Sequence, residues 1–313
     1  IPTPVVSLRP AQETCEECHW PAQFFGQKLI THNYYQTDEN STPWSVSLLV
    51  NIGGGNSQLG ALEGIHFHMS IENTIEYIAL DGERQDIPWF RFTGSDGTVR
   101  VYADPDAEYP DPADQNTEVR TFDCIDCHNR PSHDYTPPAV SVNLALATGV
   151  ISKDLPFIRK LGVDLLNAEY ETTDQAHQAI ATNLQDFYAT EYSGDAGDLA
   201  AKIAEAEGAL LDIYGKNFFP EMKTDYRART NNLSHFVNDG CFRCHGGDQV
   251  NEVGEPVSAA CDSCHVIVAQ GPTDNVAELE SSVGGLVFEH PVNIGNAWET
   301  INCTQCHNRE SGY

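Results

Sequence analysis

Ten cysteines and five of the twelve histidines fall into one repeated arrangement. Its five copies are Cys15-Glu-Glu-Cys18-His19, Cys124-Ile-Asp-Cys127-His128, Cys241-Phe-Arg-Cys244-His245, Cys261-Asp-Ser-Cys264-His265 and Cys303-Thr-Gln-Cys306-His307, and no cysteine is left over. Two thiols with two residues between them, followed at once by an imidazole, are the attachment signature of c-type haem. The spacing suits the chemistry. Both sulfurs add to vinyl groups on one side of a porphyrin, and the next residue reaches the iron as its proximal ligand. Disulfides explain an even count but not a His after every pair. Zinc sites join two C-x-x-C units or set His at other offsets, and a thioredoxin-like C-x-x-C occurs once, beside a βαβ pattern. The sequence therefore predicts five covalently bound haems c, with His19, His128, His245, His265 and His307 as proximal ligands.

Seven histidines remain: His32, His66, His68, His133, His177, His235 and His290. Methionine is the rival distal ligand and raises the potential, but the chain has only Met69 and Met222. Bis-histidine ligation at low potential is the economical expectation. His133 follows His128 by five residues, too few to carry the chain around a porphyrin edge, so it is expected to serve a neighbouring haem. In Gly64–Ile71 the apolar residues alternate with His66, His68 and Ser70, which predicts a strand with both histidines on one face. They would sit about 6–7 Å apart along it and reach different haems. His32, His235 and His290 are distal candidates because each lies near a motif in sequence. His177 follows Thr172-x-x-Gln175, a capping-box pattern, at the edge of an apolar stripe through Ile180, Leu184 and Tyr188, and reads as a helix-surface residue.

The elements that must position these groups are unevenly distributed. The motifs start at 15, 124, 241, 261 and 303, so only the first two gaps have room for structure of their own. The expected organisation is 1–139 with haems 1 and 2 and a β-rich insert over about 44–103, a helical segment over 140–230, and a three-haem region over 231–313. Strands are expected over Ser45–Ile52, ended by Gly53–Gly55, and over Ile65–Leu80. Phe90–Thr93 and Thr98–Tyr102 flank Gly94-Ser-Asp-Gly97 as a hairpin. Asp104–Asp114 is a Pro- and Asp-rich loop whose carboxylates are of the kind that hold calcium, but the regular calcium-loop spacing is missing. A solvated acidic loop is the better reading. Asp154-Leu-Pro156 suits a helix start. Leu199, Ile203, Ala206, Leu210 and Tyr214 repeat at helical spacing, with Gly194 and Gly215 as stops. The predicted fold class is mostly irregular and helical with a small β-rich insert, a multihaem architecture organised around a stacked haem chain.

Composition limits the partners. With 46 acidic against 17 basic residues the formal charge is −29, which excludes nucleic acid as a partner. It also opposes anionic membrane surfaces. The charge serves solubility or the steering of basic partners. No apolar run approaches the ~18 residues of a membrane span. The chain starts at Ile1 rather than Met, so a removed upstream targeting segment is expected. Covalent haem attachment takes place outside the cytoplasm, so the protein is expected to be exported.

The five motifs resemble those of multihaem c-type cytochromes. Cys124-Ile-Asp-Cys-His-Asn-Arg-Pro-Ser-His133 and Gly240-Cys-Phe-Arg-Cys-His-Gly-Gly247 are similar to segments of such cytochromes in metal- and sulfur-respiring bacteria. Glu13-Thr-Cys-Glu-Glu-Cys-His-Trp-Pro21 and Gly64-Ile-His-Phe-His-Met69 share that character. Some members are anchored and accept electrons from quinol. Others are extracellular and polymerise into conductive filaments. The resemblance implies an electron-transfer protein rather than an enzyme. Its partners would be other redox proteins or copies of itself in a homopolymer, and an extracellular acceptor. It would lie extracellularly or at the cell surface as a filament subunit. A discrete periplasmic or cell-surface carrier is the alternative. A reductase of nitrite, hydroxylamine or sulfite needs an open iron position, and the C-x-x-C-K that marks one such class is absent.

Overall fold

Seven strands order the computed structural model, which describes residues 15–20, 23–58, 62–130, 133–192 and 196–311. They are β1 (Phe24–Tyr35), β2 (Pro43–Gly54), β3 (Asn73–Ile78), β4 (Trp89–Gly94), β5 (Val99–Ala103), β6 (Arg120–Thr121) and β7 (His265–Gly271). Asp38 closes the turn between β1 and β2 by accepting from the Thr42 backbone N–H at 2.8 Å. Ser45 donates to Asn33 at 2.6 Å and the hydroxyls of Thr31 and Ser47 meet at 2.8 Å, an antiparallel register. One sheet has the order β1-β2-β7 and the other β5-β4-β3-β6. In the second, Tyr77 faces Phe90 and Ile75 faces Phe92, the cross-strand aromatic and β-branched pairs that stabilise a sheet.

Beside short 3-10 helices, the described residues form six α-helices: α1 (Cys124–Cys127), α2 (Pro138–Ala147), α3 (Ile158–Asn167), α4 (Thr173–Glu191), α5 (Ala196–Asn217) and α6 (Phe242–His245). The chain divides into two compact units. One comprises Ile1–Ile30, Leu48–Pro131 and Asn231–Val266; the other comprises Thr31–Ser47, Ser132–Thr230 and Ile267–Tyr313. In the first, Tyr77, Ile87 and Phe90 form a core against which Phe122 and Cys244 pack, so a motif cysteine belongs to the sheet's own core. In the second, Val142, Leu166, Ile180, Leu184 and Leu210 are fully buried where α2–α5 meet. Each such side chain contributes about 1.5–3 kcal/mol.

The fold class expected from the sequence is overturned. Two antiparallel sheets stand where a mostly irregular and helical chain with one small β insert was expected. The reason lies in β1 and β7. Most of β1 is exposed, so Phe24-Phe-Gly-Gln-Lys-Leu-Ile-Thr-His-Asn-Tyr-Tyr35 has no buried face to impose an alternation. β7 begins at a motif histidine.

Local expectations divide as well. The hairpin is present as β4 and β5, and the acidic loop follows it. Of the one long or two shorter strands expected over Ile65–Leu80, the second part is present as β3, whereas Ile65–Met69 is a 3-10 helix. Gly64 enters that turn at φ 75°, and Phe67 stacks on Phe92 at 5.8 Å. The single apolar anchor of a tight turn therefore imitates the alternation of a strand. The helix expected from Asp154 starts at Ile158, because Phe157 adopts φ 57° and donates its N–H to the Glu39 carbonyl at 2.8 Å. Gly215 lies inside α5 rather than ending it; Gly194 and the chain start at Ile1 lie outside the described residues.

Candidate functional site

Four of the five motifs fold into the same backbone turn. The N–H of His19, His128, His245 and His307 donates to the carbonyl of Cys15, Cys124, Cys241 and Cys303 at 2.8, 2.8, 3.0 and 2.8 Å. One turn thus presents two thiols and an imidazole. In α1 the turn is capped: Asp123 accepts from the Ile125 N–H at 2.8 Å, and Asp126 accepts from the Asp123 N–H at 2.8 Å. The fifth motif starts as a 3-10 turn, Cys261–Ser263, and its Cys264 carbonyl accepts from the Asn51 N–H at 2.9 Å. None of the ten cysteines is in a disulfide.

Each of four motif histidines has a second imidazole opposite it. Ring centroids lie 6.5 Å apart for His66 and His128, 5.9 Å for His68 and His245, and 6.2 Å for His235 and His265. These three pairs belong to the first unit. His290 and His307, in the second, lie 6.1 Å apart. A 3-10 helix turns about 120° per residue, so residues two apart point in different directions. That is how His66 and His68 leave one turn toward two motifs while Phe67 anchors it.

Hydrogen bonds orient the rings. Nδ1 of His68 meets the Ile65 carbonyl at 2.7 Å, Nδ1 of His245 the Ser258 carbonyl at 2.8 Å, and Nδ1 of His290 the Val292 carbonyl at 2.9 Å. A proton held at Nδ1 leaves the Nε2 lone pair for a metal. Aromatic rings hold the others: Phe25 stands edge-on to His66 at 5.9 Å, and His235 stacks on Phe242 at 4.8 Å. Burial, then neighbouring His128, lowers the His66 imidazole pKa; burial, then His265, lowers that of His235. Burial is also the leading cause of the lowered values of His68 and His128. Neutral imidazole is the ligating form.

These residues fit a haem. A histidine nitrogen binds a first-row metal at about 2.0–2.1 Å and lies about 1.1 Å from its ring centroid, so two imidazoles on opposite sides of one metal have centroids about 6.2–6.4 Å apart. The four observed separations, 5.9–6.5 Å, bracket that value. Among the described residues no cluster of three or more His, Cys, Asp and Glu side chains would hold a bare metal ion. The donors come in facing pairs beside two thiols.

The thiols also record which motifs are neighbours. Burial raises Cys124 to about 11, with Cys15 the next cause, and Cys127 to about 12, with Arg243 opposing and Cys241 and Cys244 adding. Burial and then Cys241 raise Cys264. In the first unit the motifs starting at 15, 124, 241 and 261 thus adjoin one another in chain order. In the second unit, burial and then Cys303 raise the Tyr34 hydroxyl to about 12.

The chain is similar to the cytochrome c-type protein ImcH of Geobacter sulfurreducens. The two are 38% identical over 309 residues, 98% of this chain and 59% of the relative. The chain therefore spans little more than half the length of the curated relative it matches. No family model matches it, and no solved structure does. The relative's name makes that protein a c-type cytochrome.

The remaining candidates lie elsewhere. His32 is on β1 with its ring 6.0 Å from Tyr34. His133 stacks on Tyr135 at 4.2 Å and stands edge-on to Phe219, and His177 is edge-on to Tyr214. Among the described residues these three and His19 enter no imidazole pair of the kind above. In the acidic loop, Asp104, Asp111 and Asp114 each accept from a backbone N–H two residues on, at 2.8–2.9 Å. Sequence reasoning missed Tyr77, Arg84, Asp126 and Arg243, which join two motif loops. Their partners are far apart in sequence, and the only signal was a charged residue between two cysteines.

Proposed function

We propose that this chain is a pentahaem c-type cytochrome that relays electrons outside the cytoplasm. The observation that carries the reading is the set of four imidazole pairs, each set opposite a C-x-x-C-H histidine at 5.9–6.5 Å. Haem c, held by Cys15, Cys18, Cys124, Cys127, Cys241, Cys244, Cys261, Cys264, Cys303 and Cys306, supplies one-electron chemistry at its iron. The chain does the rest. The thiols tether. His19, His128, His245, His265 and His307 are the proximal ligands, and His66, His68, His235 and His290 are the distal ones. Paired imidazoles keep the potentials at the low end, where a methionine would raise them. Ring stacking and Nδ1 hydrogen bonds hold the imidazoles, so little has to move when charge changes.

The order of the motifs supports a relay. The thiols of the motifs starting at 15, 124, 241 and 261 adjoin in sequence order, the arrangement that a stepwise relay needs. An acidic surface with formal charge −29 steers basic redox partners and sets their on-rate. Among the described residues no helix is long and apolar enough to cross a membrane. Each of the four pairs closes within one chain, so they require no neighbouring copy.

The test is the haem content and spin state of the matured protein. A pyridine haemochrome assay should return five haems per chain, and optical and EPR spectra should be low-spin for at least the four paired sites. A chain without covalent haem, or one that is mainly high-spin, overturns the reading.

A further inference from the structure

Four motifs carry a charged residue between their cysteines, and in two of them that residue is buried. Asp126 is 2% exposed and Arg243 7%. Asp126 accepts from the Tyr77 hydroxyl at 2.5 Å and from Arg84 Nη1 at 3.1 Å. Arg243 is satisfied differently. Its Nε donates to the Gly240 carbonyl at 2.8 Å, Nη1 to the Arg84 carbonyl at 2.7 Å and Nη2 to the Asp126 carbonyl at 2.7 Å. All of these acceptors are backbone carbonyls. Among the described residues no carboxylate lies within ion-pair distance of Arg243, whereas Asp126 is paired with Arg84. Asn232 Nδ2 also donates to the Asp126 carbonyl, at 2.9 Å, so α1 and α6 are tied together at one peptide group.

A buried cation with no counter-ion is costly, and carbonyl dipoles only partly replace its hydration. Its charge also acts over a long range where the dielectric is low. It reaches both motifs: Arg243 lies between Cys241 and Cys244 in α6, and its Nη2 bonds the Asp126 carbonyl beside Cys127.

We infer that Arg243 is a positioning and potential-setting residue for the two haem sites at Cys124–His128 and Cys241–His245, clamping their attachment loops together and raising both midpoint potentials with its uncompensated positive charge. The inference rests on the proposed electron relay and deepens it. Reduction adds one electron to a site and removes one unit of positive charge there. A fixed cation favours that state, and a fixed anion opposes it. Arg243 therefore pulls the two adjoining sites upward together, and Asp126 pulls them down less, because Arg84 offsets it. Charge and buried hydrogen bonding around the cofactor are recognised levers on potential.

The experiment is a spectroelectrochemical titration of the matured holoprotein and three variants. Arg243→Gln should lower the midpoints of two of the haem components and leave the others in place, with haem content and low-spin spectra unchanged. Arg243→Lys keeps the charge and should keep both midpoints near those of the parent. Asp126→Asn should raise the same two. Loss of packing alone would move Arg243→Gln and Asp126→Asn in one direction. Midpoints that do not move in Arg243→Gln, or that fall equally in Arg243→Lys, overturn the inference. Should Arg243→Gln fail to mature, Asp126→Asn decides, and a fall or no shift there overturns it. A parent protein without haem would instead overturn the proposed function, which the pyridine haemochrome assay reads separately.

Discussion

His66 and His68 leave one turn of 3-10 helix and face different motif histidines, His128 at 6.5 Å and His245 at 5.9 Å. Five residues therefore set one imidazole beside each of two motif histidines, with Phe67 seated on Phe92 as their common anchor. The sites should respond separately to substitution. His66→Ala should open the site at His128 alone and His68→Ala the site at His245 alone. In a five-haem protein each variant should convert about a fifth of the absorbance to a high-spin, carbon monoxide-binding form, since loss of an axial ligand opens the iron. The double variant should convert about twice that. Equal spectra for the two single variants with no additivity would mean that both rings serve one site.

The turn itself depends on a glycine. Gly64 has φ 75°, and a Cβ there would lie 2.8 Å from the Asn51 carbonyl oxygen and 2.8 Å from the Gly53 Cα. Both contacts are backbone, so they cannot give cheaply. Gly64→Ala adds a left-handed strain of about 1–3 kcal/mol to that clash. The expected outcome is a lower melting temperature together with a high-spin component at both sites, unlike either histidine variant. A low-spin spectrum with only the melting temperature changed would show that the turn can shift without moving the rings.

The site was far more legible in the sequence than the fold. The motif carries its own spacing, because both thiols and the imidazole must meet one ring, and counting histidines against methionines pointed to paired imidazoles. The hairpin around Gly94–Gly97 was legible because its turn residues are local. So was the stripe Ile203, Ala206, Leu210 and Tyr214 on α5. What failed was whatever depends on distant partners. Ile65–Met69 imitates a strand because only its contact with Phe92 reveals the turn. β1 escapes because most of its side chains are exposed. Asp126 and Arg243 look like surface charges until Tyr77 and Arg84 are seen beside them.

The imidazoles impose a pH dependence. His66, His68, His128 and His235 are all below the ordinary value of 6.5, burial being the first cause in each. Once unfolded, they take up protons as the pH falls through about 6.5, while the folded chain resists. The unfolded state then binds more protons, so stability is lost as the pH drops below that value and levels off only beneath the folded values. Bound iron competes for the same lone pair, which moves the loss further toward acid without changing its sign. Acid also relieves the self-repulsion of a chain with formal charge −29, so the readout should be the low-spin absorbance rather than melting alone. Its decline on acidification, reversed on returning to neutral pH, is expected. A spectrum that becomes more low-spin in acid would contradict the assignment of these four residues.

In the second unit a hydroxyl at the end of the helices bridges to the last motif. Tyr226, 2% exposed, shares its one hydroxyl proton between Asn167 Oδ1 at the end of α3, at 2.6 Å, and the Arg309 carbonyl, two residues past His307, at 2.8 Å. Arg309 Nη1 returns a bond to the Arg227 carbonyl at 3.0 Å, and Asn167 Nδ2 donates to the Glu310 carbonyl at 3.1 Å. Tyr226→Phe removes the shared hydrogen bond and leaves buried acceptors behind, at a cost of about 0.5–1.5 kcal/mol. It should lower the melting temperature and loosen His307 from His290, giving a small high-spin component at that site alone. Tyr170→Phe is the control. Its hydroxyl donates to the Leu165 carbonyl at 2.9 Å, wholly outside the motif, so it should lower stability by a comparable amount without changing any haem spectrum. If both variants leave the spectrum alone, the helices stabilise the unit but do not position its ligand pair.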